Sequence, residues 1–201
     1  LQMTNMISYQ GLVRTFPKVR PDFRAYYQVR FFTGMRTGEI DGLSWENVDF
    51  GARLIHIHQS LVRGTIGPTK TSGSHRSIAM SQKVYDALRE QWEVSGEKSP
   101  FVFCARNGEP LNHRNITRRV WYPTLADLEL DKRNPYQTRH TAATLWLAAG
   151  ESPEWIARQL GHANTSMLFR VYSRFVPNLV GRDGAAFEQL IEDEFELEDE
   201  V

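Results

Sequence analysis

The sequence predicts an α+β fold, mainly helical with one small antiparallel sheet, and three observations support this. Amphipathic helical stretches with their own start and stop residues recur along the chain. Period-two alternation is confined to two short runs near residues 53–58 and 75–80. At 201 residues with 41% hydrophobic and 24% charged side chains, the chain suits one soluble domain of ordinary size.

In chain order, residues 1–21 read as a lead-in segment punctuated by Pro17 and Pro21. Asp22 is placed to cap a helix through about Phe32, carrying Phe23, Tyr26, Tyr27, Phe31 and Phe32. Gly34 interrupts it, and Thr37 is the expected cap of a second helix with Glu39, Ile40 and Leu43. Arg53-Leu54-Ile55-His56-Ile57-His58 and His75-Arg76-Ser77-Ile78-Ala79-Met80 read as strands. Gly64 through Gly73 is rich in turn formers, which puts Lys70 near the connection between the last strands.

Ser81 begins an amphipathic helix with Val84, Leu88 and Trp92. Phe101-Val102-Phe103-Cys104 fits either a strand or an extended loop. Asn112 to about Leu128 reads as a helix interrupted at Pro123, and Tyr136 to Ala149 as a helix ended by Gly150. Ser152 and Pro153 open another, stopped by Gly161, before a last helical stretch with Met167, Leu168, Val171 and Tyr172.

Formal net charge is zero, yet residues 188–201 hold eight acids and no Lys or Arg. Residues 1–187 therefore carry 24 basic against 16 acidic side chains, a body suited to a polyanion with an acidic tail attached. That tail reads equally as disordered or as a helix (Phe187, Leu190, Ile191) docking on a neighbouring subunit. No run of about 18 apolar residues suggests a membrane span, and the start lacks a secretory layout. Without an initiator Met the chain reads as a piece of a longer protein, and the lone Cys104 suits a reducing cytosol.

Chemistry concentrates in four places. Thr33-Gly34-Met35-Arg36-Thr37-Gly38-Glu39 and Tyr136-Gln137-Thr138-Arg139-His140-Thr141 each offer an arginine, whose planar fork suits phosphate oxygens. Lys70 sits in the turn-rich stretch, as a mobile proton donor would. Gln159-Leu160-Gly161-His162 puts a histidine just after a helix-ending glycine, at an expected loop tip, ten residues before Tyr172. Arg36, Lys70, Arg139 and His162 can surround one phosphate, with Tyr172 as its attacker, in phosphoryl transfer that needs no metal or other cofactor. His140 is assigned a supporting role, buttressing its helix or contacting backbone. Arg114, Arg118 and Arg119 stand at helical spacing as candidate contacts to DNA phosphates or as a solvated face. His56 and His58 alternate on a strand but have no Cys or acidic partner at metal-ligand spacing.

Taken together and in this order, these motifs resemble the tyrosine recombinase, or phage integrase, family over roughly residues 22–180. The resemblance implies a mostly helical catalytic domain with a lysine-bearing sheet and a covalent 3′-phosphotyrosyl DNA intermediate. It further implies strand exchange between double-stranded recombination sites within a synaptic homotetramer, served by DNA-bending and directionality factors in a bacterial host cytoplasm. By position it makes Arg36 and Arg139 the two family arginines, Lys70 the sheet lysine, His162 the histidine and Tyr172 the nucleophile. Glu39 matches the acid after the first arginine. Tyr136 stands where the family most often has histidine, which leaves open what accepts the Tyr172 proton. Rival readings are a type IB topoisomerase, which shares the chemistry, and a catalytically silent DNA-binding relative. The domain is expected over residues 1–187, with 188–201 as tail.

Overall fold

A computed structural model describes residues 9–68 and 75–172. Lys70 and the acidic tail lie outside the described residues. The chain starts with helix α1 (Tyr9–Lys18), where an element-free lead-in was expected. Pro17 is tolerated because it sits one residue from the helix end and forfeits a single N–H there. Phe16 then packs its ring 5.7 Å from Phe31 and 5.5 Å from Phe32.

Helix α2 (Arg24–Thr33) follows a single 3₁₀ turn, Pro21–Phe23. Asp22 does not cap it. Its carboxylate is taken by Arg20, at 2.7 and 2.6 Å. Helix α3 (Thr37–Asp41) also departs from expectation, because Arg36 and not Thr37 occupies its N-cap position. Glu39 reaches back to accept from the Arg36 backbone N–H at 2.7 Å, the acidic half of a capping box. The Thr37 hydroxyl instead accepts from Arg30, at 2.6 Å.

Strands β1 (Val48–Asp49), β2 (Leu54–Ile57) and β5 (Arg76–Ala79) form an antiparallel sheet in the order β1-β2-β5. Strands β3 (Gln59–Val62) and β4 (Thr65–Pro68) make a separate hairpin, so part of the expected turn region is strand. Its two-residue loop, Arg63-Gly64, has positive φ at both positions, matching the twist of a tight antiparallel hairpin. In the sheet, Ile57 pairs with Arg76 and Ile55 with Ile78, and all three isoleucines belong to the core. Arg76 therefore points to the inner face. His56 lies on the opposite face, bonded to Ser77 across the strands at 2.9 Å, with its ring 6.0 Å from that of His58.

Helix α4 (Gln82–Ser95) starts as read, with the Ser81 hydroxyl accepting from Val84 N–H. Residues 101–104 form no regular strand and contribute two isolated bridges, Ser44 to Phe101 and Cys104 to Pro110. The helix expected from Asn112 has three parts: α5 (His113–Ile116), a π-helical segment (Thr117–Trp121) and α6 (Tyr122–Asp127). Pro123 does not break it; the missing N–H falls where the π register returns to α. Helices α7 (Gln137–Ala148), α8 (Pro153–Leu160) and α9 (Ser166–Tyr172) complete the described chain, with Ser152 capping α8 as read.

The main core lies between α2, α4 and the sheet. Tyr27 stacks on Trp121 at 4.9 Å, and Trp121, fully buried, donates to the Arg133 carbonyl. A smaller apolar cluster of Ala143, Ile156, Leu160, Leu168 and Tyr172 joins α7, α8 and α9. Arg30 ties the elements together. Wholly buried, it donates to the hydroxyls of Tyr26, Thr37 and Thr138, which satisfies a charge that would otherwise be costly inside. Among the described residues no helix is long and apolar enough to cross a membrane.

Candidate active site

The site forms where the N-terminus of α3, strand β5, helix α7 and the turn after α8 meet. Two glycines allow that approach. Gly34 ends α2 with φ of 61°, and a Cβ there would lie 2.8 Å from Leu160 Cδ2. Gly161 ends α8 with φ of 65°, and a Cβ there would lie 3.0 Å from one guanidinium nitrogen of Arg76 and 3.3 Å from one of Arg36. Only glycine combines the left-handed backbone with room for two arginines.

Arg36 spans this turn. One Nη donates to Glu39 at 2.8 Å and the other to the Gly161 carbonyl at 3.0 Å. A third of the side chain remains exposed, so the guanidinium can meet a ligand. Glu39 itself is buried and held from a second side by Arg76, whose two Nη groups donate to its two oxygens at 2.9 and 2.8 Å. Arg76 Nε donates to the Gln159 carbonyl at 2.7 Å, linking β5 to α8. Burial would raise the Glu39 carboxyl, but the hydrogen bonds and charge of Arg76, then of Arg36, bring it down to about 2.

Arg139 is 1% exposed. It donates to the Gly34 carbonyl at 2.7 Å, to the Leu160 carbonyl, and at 3.1 Å to His162 Nε2. Burial, then the neighbouring Arg36, lowers Arg139 to about 10, which still leaves it charged at neutral pH. His162 is not at an open loop tip; its ring is partly buried against Arg139. Burial, then Arg139, Arg36 and Arg76, push it down to about 4, so its imidazole is neutral near pH 7. Arginine can only donate, so Nε2 must offer its lone pair and the ring proton resides on Nδ1. Nδ1 is buried and has no partner among the described residues. His162 thus keeps a buried N–H donor without an acceptor among these residues, on the ring edge away from Arg139. At this turn Arg36 and Arg139 place two positive charges that suit an oxyanion.

Tyr172 ends α9 and is 2% exposed. Its hydroxyl lies 2.7 Å from His140 Nδ1. Sequence reading assigns His140 a role toward its helix or backbone; in the structure its ring nitrogen meets the phenol. Burial raises the Tyr172 hydroxyl to about 12, against the lowering field of Arg139. Tyr136, at the N-cap of α7, is 39% exposed and sets its ring edge-on to His140 at 5.4 Å.

The structure thus brings Arg36, Glu39, Arg139, His162, His140, Tyr136 and Tyr172 into one neighbourhood. Sequence reading missed Arg76 and Gln159. The available signal for Arg76 was its phase, an arginine on the apolar face of a strand beside Ile78. Arg114, Arg118 and Arg119 are exposed on α5 and the π segment. Arg114 borders a cleft of about 830 Å³ lined also by Thr37, Gly38, Arg63 and Asn112; Arg139, His162 and Tyr172 are not part of its wall. Among the described residues no group of three or more His, Cys, Asp or Glu side chains is arranged around a metal position.

Residues 18–177 match the Phage integrase family. The chain is 28% identical over 172 residues to the prophage integrase IntR of Escherichia coli K12, covering 74% of this chain and 42% of that protein. It is likewise 28% identical over 163 residues to the integrase of Staphylococcus phage L54a, covering 73% and 46%. The chain therefore spans less than half the length of these relatives. Its fold is that of the Tn1549 transposon integrase solved with transposon right-end DNA (TM-score 0.76, 21% identity, 86% of this chain and 62% of that one). The XerA recombinase is similar in fold as well (TM-score 0.70, 19% identity, 88% and 67%).

Proposed function

Because the chain belongs to the phage integrase family, we propose that it is the catalytic domain of a site-specific DNA recombinase that integrates or excises a phage or other mobile element. The observation that carries this reading is the convergence of Arg36, Arg139 and His162 around the Gly161 turn. Two fixed guanidinium groups, with the His162 ring held against one of them, match the non-bridging oxygens of a phosphodiester whose charge grows as it becomes pentavalent. Glu39 and Arg76 act one step back, holding the Arg36 fork in plane.

In the reaction, the Tyr172 oxygen attacks phosphorus and the leaving 5′ oxygen receives a proton from Lys70. The DNA is left joined through a 3′-phosphotyrosyl bond. That ester stores the energy of the broken linkage, so rejoining requires neither ATP nor a metal ion. Exchange between two duplexes calls for double-stranded recombination sites, a homotetramer in synapsis, and DNA-bending and directionality factors, in the cytoplasm of a bacterial host. Arg114, Arg118 and Arg119 contribute contacts to the DNA backbone, which give affinity and salt dependence more than sequence choice.

The test is covalent capture from a pool of nicked duplexes with randomised centres. DNA held by the wild-type chain through detergent denaturation, and none held by Tyr172→Phe, is the expected result. Equal retention by both would remove the nucleophile and with it the reading.

A further inference from the structure

We propose that the imidazole of His140 is the general base that takes the Tyr172 proton as the phenolic oxygen attacks phosphorus. This rests on the phosphotyrosyl reading above and answers what that reading leaves open, because position 136 offers a phenol and not an imidazole. The carrying observation is geometric. His140 Nδ1 and the Tyr172 hydroxyl are 2.7 Å apart, within reach of direct proton transfer without a bridging water. Tyr172 is 2% exposed, so bulk solvent is a poor acceptor for its proton. The two rings are tilted at 52° with centroids 5.6 Å apart, so the contact is through the nitrogen and not a face-to-face stack.

The surroundings keep His140 in the form a base requires. The titratable or charged groups facing it are Tyr136 and Arg139 on its own helix, Tyr172 on α9 and His162 beyond α8. Burial, then the charge of Arg139, holds His140 below its ordinary value, so the ring is neutral near pH 7 and Nδ1 can carry a lone pair. The phenol is a weaker acid than usual, at about 12. Transfer in the resting state is therefore uphill. It becomes favourable only as the oxygen–phosphorus bond forms and the oxygen loses basicity, which couples the proton to the bond being made. Tyr136 braces this imidazole edge-on, so a tyrosine there supports the base and does not replace it.

The Tyr172 O–H bond breaks and its proton goes to His140 Nδ1, while the oxygen pair forms the bond to phosphorus. The bond from phosphorus to the 5′ oxygen breaks, and that oxygen takes a proton from Lys70. In rejoining, the 5′-hydroxyl gives its proton back to the neutral Lys70 amine as it attacks phosphorus, and His140 returns its proton to the departing phenolate.

Two measurements test this on the whole 201-residue chain. The first needs no DNA: long-range ¹H–¹⁵N correlation of the His140 ring at pH 7. The expected result is a neutral ring protonated on Nε2 with Nδ1 accepting; a proton on Nδ1 would overturn the proposal. The second is single-turnover cleavage of duplexes obtained by covalent capture. His140→Gln keeps an oxygen to accept from the phenol but cannot take its proton. It should cleave at least about 100-fold more slowly and lose the acidic limb of the pH–rate profile. His140→Gln within about threefold of wild type, with the limb intact, would make His140 a positioning residue only and overturn the base assignment. If wild-type protein forms no adduct at all, the recombinase reading falls, and the base with it. An adduct formed equally by His140→Gln removes the base alone.

Discussion

Arg76 and Glu39 are joined by two parallel hydrogen bonds of 2.9 and 2.8 Å, across 37 positions of sequence and almost entirely out of water. Arg76 side-chain exposure is 6% and that of Glu39 is 2%. This pair sets the position of Arg36, because Glu39 is the shared acceptor of both arginines. Removing Arg76 leaves the buried Glu39 carboxylate with Arg36 as its remaining charged partner. Arg76→Ala should therefore cost about 1.5–3 kcal/mol of stability in denaturant unfolding, with Arg76→Lys recovering only part. A loss below about 1 kcal/mol would show the pair to be incidental.

The two carboxylates of α3 should respond to pH in opposite senses. Glu39 titrates at about 2 in the folded chain against an ordinary 4.5, so its stabilisation is complete above pH 4.5 and is lost as pH falls toward 2. The term is worth about 3 kcal/mol. The stability gap between wild type and Glu39→Gln should shrink over that window; a constant gap contradicts the assignment. Asp41, accepting from Tyr26, is raised by burial to about 6 despite Tyr26 and Arg30. Its ionised form is the costly one, so its contribution improves as pH falls from about 6 toward 4. Asp41→Asn should flatten that segment of the stability profile.

Gly161→Ala combines a left-handed backbone with a Cβ pressed on Arg76 and Arg36. We expect about 1 kcal/mol or more of lost stability from the backbone alone. Cleavage should fall further than stability does, since both guanidinium groups must give way. Unchanged single-turnover cleavage would show that the close approach does not matter.

His162 should remain uncharged from pH 7 down to about 4, with its proton on Nδ1, as read by imidazole ¹⁵N shifts. His162→Ala should lower cleavage roughly 10²–10³-fold, the usual cost of losing one oxyanion donor. A His162 that titrates near 6.5 would mean that Arg139 does not occupy Nε2.

The parts of the site written in local motifs were legible in sequence. Arg36, Arg139, His162 and Tyr172 each sit in a short motif, and the structure gathers them. Helix boundaries marked by serine were legible for the same reason, because Ser81 and Ser152 bond to N–H groups three residues away. Asp22 and Thr37 carried the same signal, but other side chains took their oxygens: Arg20 the first, Arg30 the second. Arg76 was invisible because its partners lie 37 and 83 residues away. His140 was misjudged from its adjacency to Arg139, although it is four residues from Tyr136 and so shares its helix face.

In the proposed reaction one phosphate is held by Arg36, Arg139 and His162 while Tyr172 attacks it. Tandem mass spectrometry of the captured adduct after nuclease trimming tests this most directly. A nucleotide attached through its 3′-phosphate to Tyr172 is the expected result. Attachment at Tyr136, at any other side chain, or through a 5′-phosphate would contradict it.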